Sequence, residues 1–350
     1  MKASHQSPVR LLSIAAAVMA CLAGAAAHAE GISMYGVADV YAEYGKGDKN
    51  EVSVNSGGVS GSRLGFDASK DMGNGLKAIA KLEAGYALDH GNSTQGGLLF
   101  GRQAYVGLSG DFGTLTAGRQ YTPQFIALDS NDPFDTGAGS AVSSGIVSMF
   151  ASRANNSIAY SSNAAGGFQF SALAAAGESS SGSNTNGSLV EANFHFGSGP
   201  FAADLTLSGM KRLADDGKNA TAETLGGSYN FGAVKLLGGV QFVQNSTTLA
   251  NTDDNRTEVF AGINAPIGND ALWIGAGAGK VNKVSGTTAS QYSIGYMHNL
   301  AKGVDMYGVA TTIKNGDNTS YSDDTATGAG PSVSAGKSAS ALQVGFRYRF

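Results

Sequence analysis

Side chains capable of covalent or metal chemistry are few in this 350-residue chain, and they do not cluster. There is one cysteine, Cys21, and of five histidines only His90, His195 and His298 lie beyond residue 29. Zinc sites draw on closely spaced Cys, His and acidic ligands, and these three histidines are scattered. A hydrolase needs a nucleophile and a base within hydrogen-bond reach. His195 or His298 could be the base, yet neither stands in a recognisable Ser–His–acid arrangement, so this rival is not favoured; His195→Ala would separate it. The paired acids Asp215-Asp216, Asp253-Asp254 and Asp323-Asp324 could bridge divalent cations to phosphates, but solvated loop tips are the plainer reading. No catalytic residue, metal or cofactor is expected. With 23 Lys+Arg against 27 Asp+Glu, the net charge is −4, which leaves no basic footprint for nucleic acid.

The elements that carry these residues are unusual. Glycine supplies 51 positions and proline only 6, and charged residues make up 14%. No run of eighteen apolar residues follows the first thirty, which excludes membrane-spanning helices. Without abundant proline and a strict glycine period, a collagen-like chain is excluded too. At the start, Lys2 and Arg10 precede the apolar stretch 11–27, and Ala27-His28-Ala29 has the small-x-small form of a cleavage site. Residues 1–29 are therefore expected to be an export signal, ahead of one domain over 30–350. A retained anchor, or a lipobox around Met19-Ala20-Cys21, fits less well. Removing 1–29 takes Lys2, Arg10, Cys21 and no acid, so the net charge falls from −4 to −6, and no disulfide framework is left.

Beyond the signal the pattern has period two. From Ile32 to Tyr44 the even positions are apolar or small, and Ser33, Asp39 and Glu43 are odd. Leu76, Ala78, Ala80, Leu82, Ala84, Tyr86 and Leu88 share one face, with Lys77, Lys81 and Glu83 on the other. Leu342, Val344, Phe346, Tyr348 and Phe350 alternate with Gln343, Gly345, Arg347 and Arg349. A soluble sandwich would turn the oily face inward; an outer-membrane barrel turns it to lipid, where a midplane Lys or Arg costs roughly 2–4 kcal/mol. Charges here keep to one parity, and the runs reach the roughly 9–11 residues that span a bilayer. The barrel is preferred: all-β, antiparallel and transmembrane, with sixteen strands near 32–44, 62–70, 76–88, 101–109, 114–121, 154–162, 167–176, 188–196, 201–210, 222–231, 233–244, 257–265, 271–280, 291–298, 304–313 and 341–350. Short turns rich in Gly, Asn and Asp, such as 71–75, 110–113 and 299–303, alternate with long segments such as 45–61, 122–153 and 314–340. Short turns belong on the periplasmic side and long loops outside. Lone Trp273 is expected on the lipid face or in an interfacial girdle.

Several strings match one family. They are Met34-Tyr35-Gly36-Val37-Ala38-Asp39, Ser62-Arg63-Leu64-Gly65-Phe66, Gly73-Asn74-Gly75-Leu76-Lys77-Ala78, Gly101-Arg102-Gln103-Ala104-Tyr105-Val106-Gly107-Leu108, Phe112-Gly113-Thr114-Leu115-Thr116-Ala117-Gly118-Arg119-Gln120 and Phe346-Arg347-Tyr348-Arg349-Phe350. Together they resemble the trimeric, sixteen-stranded general porins of Gram-negative bacteria, especially the β-proteobacterial branch. The likeness is dense over 31–160, sparse in the middle and sharp over the last ten residues. It implies a homotrimer in the outer membrane, reached through the periplasm, in contact with lipid and lipopolysaccharide. Phe350 would be read by the barrel-assembly machinery.

The resemblance also implies that the third loop, 122–153, folds into the barrel and narrows it. Asp129, Asp132 and Asp135 would form its acidic side, against a basic wall of Arg63, Arg102, Arg119 and Arg153. Parity supports Arg63, but Arg102 shares even numbering with Ala104, Val106 and Leu108, and Arg119 shares odd numbering with Leu115 and Ala117. A β-bulge could re-aim either residue, or each could snorkel at the membrane edge. The expected function is passive diffusion of small hydrophilic solutes and ions, weakly anion-selective or nearly unselective. A solute-specific porin and a barrel adhesin or receptor are the alternatives.

Overall fold

Alternation of apolar and polar residues extends the chain into long strands, because only then does every second side chain reach the same solvent. The structure is a computed structural model and describes residues 31–177, 185–212, 218–246, 254–323 and 330–350. The expected signal 1–29, Cys21 and the pair Asp215-Asp216 lie outside these residues, as do Asp253 and Asp324. The elements are β1 (Ile32–Lys46), β2 (Asn50–Ser56), β3 (Arg63–Gly73), β4 (Leu76–Gly85), β5 (Gln103–Gly110), β6 (Gly113–Tyr121), α1 (Pro123–Asn131), β7 (Arg153–Ser161), β8 (Phe168–Ala175) and β9 (Leu189–Ser198). They continue through β10 (Phe201–Lys211), β11 (Asn219–Asn230), β12 (Lys235–Ser246), β13 (Asp254–Ile267), β14 (Asp270–Val281), β15 (Ala289–Ala301), β16 (Val304–Lys314) and β17 (Ala339–Arg349).

Each strand pairs antiparallel with its neighbour, and β1 closes the ring on β17 from Val37↔Arg349 to Lys46↔Ser340. The ring has sixteen staves, because β2 and β3 make one stave between them. Residues 40–46 of β1 pair with β2, and residues 32–37 pair with β3. The expectation of one long loop over 45–61 is corrected: after a tight turn at 47–49, Asn50–Ser56 is strand. Val52 and Val54 face outward and alternate with Ser53 and Asn55. The stave breaks at 57–62, where Asp39 accepts bonds from the backbone N–H groups of Gly58 and Ser60 and from the Tyr307 hydroxyl.

Parity sorts the two faces as expected. Met34 and Val106 point outward and are more than 60% exposed, whereas Tyr41, Gln241 and Gln343 point inward and are 2% exposed or less. Aromatic rings band the outer face at the short-turn end: Phe168 lies 4.6 Å from Phe196, and Phe170 lies 5.2 Å from Phe194. Phe350 belongs to this surface. Its ring lies across Gly36, and the two residues exchange backbone bonds of 2.8 and 3.0 Å that complete the seam. Gly36 thus leaves room for the Phe350 ring.

The core lies inside the barrel, between the infolded loop and one wall. Leu128, Val142, Ile146 and Val147 of the loop pack with Phe260 and Ile313 of the wall. Glycines on the inner face make room for it. A Cβ on Gly262 would sit 2.6 Å from Pro133, one on Gly275 would sit 2.8 Å from Phe134, and Gly277 and Gly279 are pressed by Ala141 and the Ile146 carbonyl. Much of the glycine excess over β13–β15 therefore comes from close approach. Trp273 corrects the girdle expectation: it faces inward, edge-on to Phe134 at 6.1 Å.

Candidate functional site: the narrowed lumen

The loop 122–152 turns inward because its first residues start a helix. Thr122 caps α1, its Oγ1 accepting from Phe125 N at 3.2 Å, and Pro123 occupies the first turn, where its missing N–H is no loss. Thr122-Pro123 is the signal in the sequence that could have shown this helix. Inward-facing polar groups of β9–β15 then tether the loop. Glu191 accepts from Gln124 N at 2.8 Å, Gln124 donates to Gln241 at 2.9 Å, and Asn131 donates to Asp204 at 2.9 Å. Glu258 accepts from Ser148 N and Oγ, both at 2.8 Å, and Gln291 donates to the Gly139 carbonyl at 2.9 Å. Arg256 and Tyr321 bring a second loop onto the same wall.

With the loop held on β9–β15, open space remains against β1–β6. It is a cavity of about 820 Å³, and Arg63, Arg102, Arg153, Asp129 and Asp135 all line it. Four further residues of the lining were not proposed from sequence as part of the narrowed site: Glu83, Lys81, Tyr35 and Tyr121. Glu83 is the hub. Arg102 Nε donates to its Oε1 at 2.9 Å, Arg63 Nε stands 3.9 Å from Oε2, and the Tyr35 hydroxyl donates to Oε2 at 2.7 Å. Its odd numbering, shared with inward Lys81, was the signal that could have found it. Lys81 is paired with Asp67 at 2.7 Å. Tyr121 accepts from Arg102 at 2.5 Å and from Arg153 at 2.9 Å, and it stacks on Phe125 at 4.7 Å. The Arg153 guanidinium lies over the same ring, 4.5 Å from its centre.

Arg102 reaches inward despite its parity because Gly101–Arg102 bends just before β5 begins. Arg119 does not. It stays on the outward side that its parity with Leu115 and Ala117 gives, Gln120 faces the lumen with Thr116, and the shift of β6–β7 register between Gly118 and Gln120 brings Tyr121 to the lumen as well. Arg119 donates to the Gly101 carbonyl at 2.7 Å and to Asn155 at 2.6 Å. Asp132 is also off the cavity. It is buried and accepts from Thr136 N at 2.9 Å and Phe134 N at 3.4 Å, shaping the loop tip where Asp135 and Thr136 have positive φ. Burial pushes its carboxyl up to about 7. Asp135 is exposed to the cavity yet crowded by the barrel around it; that partial desolvation, and then neighbouring Asp129, push it up to about 6. Burial also raises Asp129, against a Thr136 hydroxyl bond of 2.6 Å.

His195 and His298 each meet an aspartate, Asp204 at 2.9 Å and Asp270 at 3.0 Å, and among the described residues neither ring bonds a serine. Asp254 is the first residue of β13 and Asp323 is buried.

A closed, bilayer-length barrel narrowed by an infolded loop defines a β-barrel channel protein of the porin type. The Gram-negative porin family pattern matches residues 15–318, and the chain belongs to that family. It is 32% identical over 369 residues to outer membrane porin protein 32 of Delftia acidovorans, covering 96% of this chain and 99% of that one. Against an outer membrane porin protein of Bordetella pertussis the identity is 28%, over 86% and 94% of the two chains. The solved structure of the anion-selective porin from Comamonas acidovorans superposes with a TM-score of 0.81 at 29% identity, over 91% of this chain and 99% of that one. The protein is an outer-membrane porin, and its lumen is the path for solutes.

Proposed function

We propose that the narrowed lumen passes small anions somewhat better than cations. The observation that carries this is an asymmetry across the cavity. On the wall, Arg63 and Arg102 share one carboxylate, Glu83, and the polar partners of Arg153 are hydroxyls of Tyr121 and Ser152. The opposing loop presents Asp129 and Asp135, both raised by desolvation. With Glu83 included, three arginines face three carboxylates, so wall and loop set a transverse field of near-balanced charge that the upward shift of the loop acids leans toward the positive wall, and low-dielectric walls focus it. The similar Comamonas porin is described as anion-selective, which leans the same way.

The test is the reversal potential of single channels in a tenfold KCl gradient. A perfectly selective pore develops about 59 mV. The expected value is a minor fraction of that, in the anion direction, and a large cation-directed potential overturns the reading.

The same reading takes residues 1–29 as an export signal and a homotrimer as the working assembly, with lipid, lipopolysaccharide and the assembly machinery as its surroundings. Small outward residues Ala38, Ala78 and Ala80 support close approach of copies. Cross-linking in mild detergent that yields only monomer would reject the trimer.

A further inference from the structure

Beneath α1, on the short-turn side, the lumen holds a second, partly open chamber of about 440 Å³ bordered by β5–β10. Its chemistry differs from that of the charged cavity. Among the described residues that line it there is no Lys or Arg, and its one carboxylate, Asp204, is taken up by Asn131, Asn193 and His195 at 2.9–3.0 Å. The remaining polar lining is amide and hydroxyl. Several of these groups have capacity to spare: the hydroxyls of Tyr105 and Ser171 and the Oε1 atoms of Gln103 and Gln169 take no bond from the described residues, while the Gln169 amide nitrogen holds Ser161 Oγ and the Ser162 carbonyl at 3.3 and 3.1 Å. Ile126 of α1, 54% exposed, stands with Tyr121 between the two cavities and borders both.

We propose that this chamber is a binding subsite for neutral polyhydroxylated solutes of sugar type, entered from the charged cavity past Ile126 and Tyr121. An ion gains little from a wall whose charge is internally paired. A sugar carries hydroxyls that both donate and accept, and amides and hydroxyls are the partners that answer both roles. Tyr105 and Ile126 add apolar surface for the C–H face of a sugar ring. The volume falls within the roughly 300–1,000 Å³ of small-molecule sites, enough for a solute of one or two rings. This subsite rests on the channel reading but not on its ion preference.

The experiment is single-channel recording in 1 M KCl with maltose added to one side at a time, beside a polyethylene glycol of matched hydrodynamic size. The expected result is resolved blocking or excess current noise with maltose that the glycol does not produce. Gln169→Ala and, separately, Tyr105→Phe should each weaken the block several-fold and leave the reversal potential in a KCl gradient unchanged. Maltose lowering the current no more than the glycol does, or a block unaltered in both variants, overturns the proposal. A block abolished equally by Arg153→Gln assigns it to the charged cavity and also overturns it. Absence of any conductance would instead refute the channel reading.

Discussion

Replacing Glu83 by Gln tests the charge asymmetry at its hub. The carboxylate lies 2.9 Å from Arg102 Nε and 3.9 Å from Arg63 Nε. A glutamine can keep an acceptor on Arg102 and turn its amide toward the Tyr35 oxygen, so the shape survives while one negative charge goes. For an ion passing about 6 Å away in water-like dielectric, that charge is worth about 0.7 kcal/mol. At 0.1 M salt, where the screening length is about 10 Å, roughly 0.4 kcal/mol remains. An anion gains this and a cation loses it, a difference of about 0.8 kcal/mol, or close to fourfold in permeability ratio. At 1 M salt the screening length shrinks to about 3 Å and the effect falls to about 1.4-fold. The assay is reversal potential for wild type and Glu83→Gln at both salt levels. No shift toward anions at 0.1 M would show that Glu83 does not face the ion path, and a shift equally large at 1 M would mean that the wall had rearranged.

Arg153→Gln removes the wall cation held by hydroxyls and should move selectivity toward cations by a similar factor of about four at 0.1 M salt, read by the same potential. Asp135, held at about 6, is charged above that pH and loses its charge as pH falls through it. Lowering pH from 8 to 5 should therefore raise anion preference, and Asp135→Asn should flatten most of that dependence. Gly277→Val puts a side chain where Ala141 already lies; overpacking of this kind costs about 1–3 kcal/mol, so heat-modified gel mobility should change at a lower temperature and conductance should broaden as the loop is displaced. Ser148→Ala removes the hydroxyl bond to Glu258 while keeping the backbone one, so a small increase in current noise with unchanged thermal stability is expected.

Much of the barrel was legible because lipid imposes a strict rule on every second residue. Strands such as β1, β4 and β17 announced themselves by parity, and the Gly–Asn–Asp turns gave the orientation. Parity failed where the backbone leaves the regular ladder. The bend at Gly101 sends Arg102 inward, the irregularity after Gly118 brings Tyr121 to the lumen while Arg119 keeps the outward side its parity gives, and the break at 57–62 hid β2 inside what looked like a loop. Position along the chain does not reveal what a loop will lie against, so Trp273 read as a lipid-facing ring and Asp132 as a pore acid. The tethers Glu191, Gln241, Glu258 and Gln291 are ordinary inward polar residues until the loop is seen resting on them.

The seam between β1 and β17 has a consequence for how the protein comes into being. Glu43 and Gln343 touch there, yet they stand 300 residues apart in the chain. Every other ladder joins strands close in sequence and can form early, whereas this one must wait for the whole sheet to curl, the slowest kind of contact. Until β17 arrives the protein is a ribbon with two unsatisfied edges and an oily face, a state that recruits other chains readily. A chain that stays unfolded until it reaches the membrane avoids this state, and the ring becomes safe only at the moment it shuts.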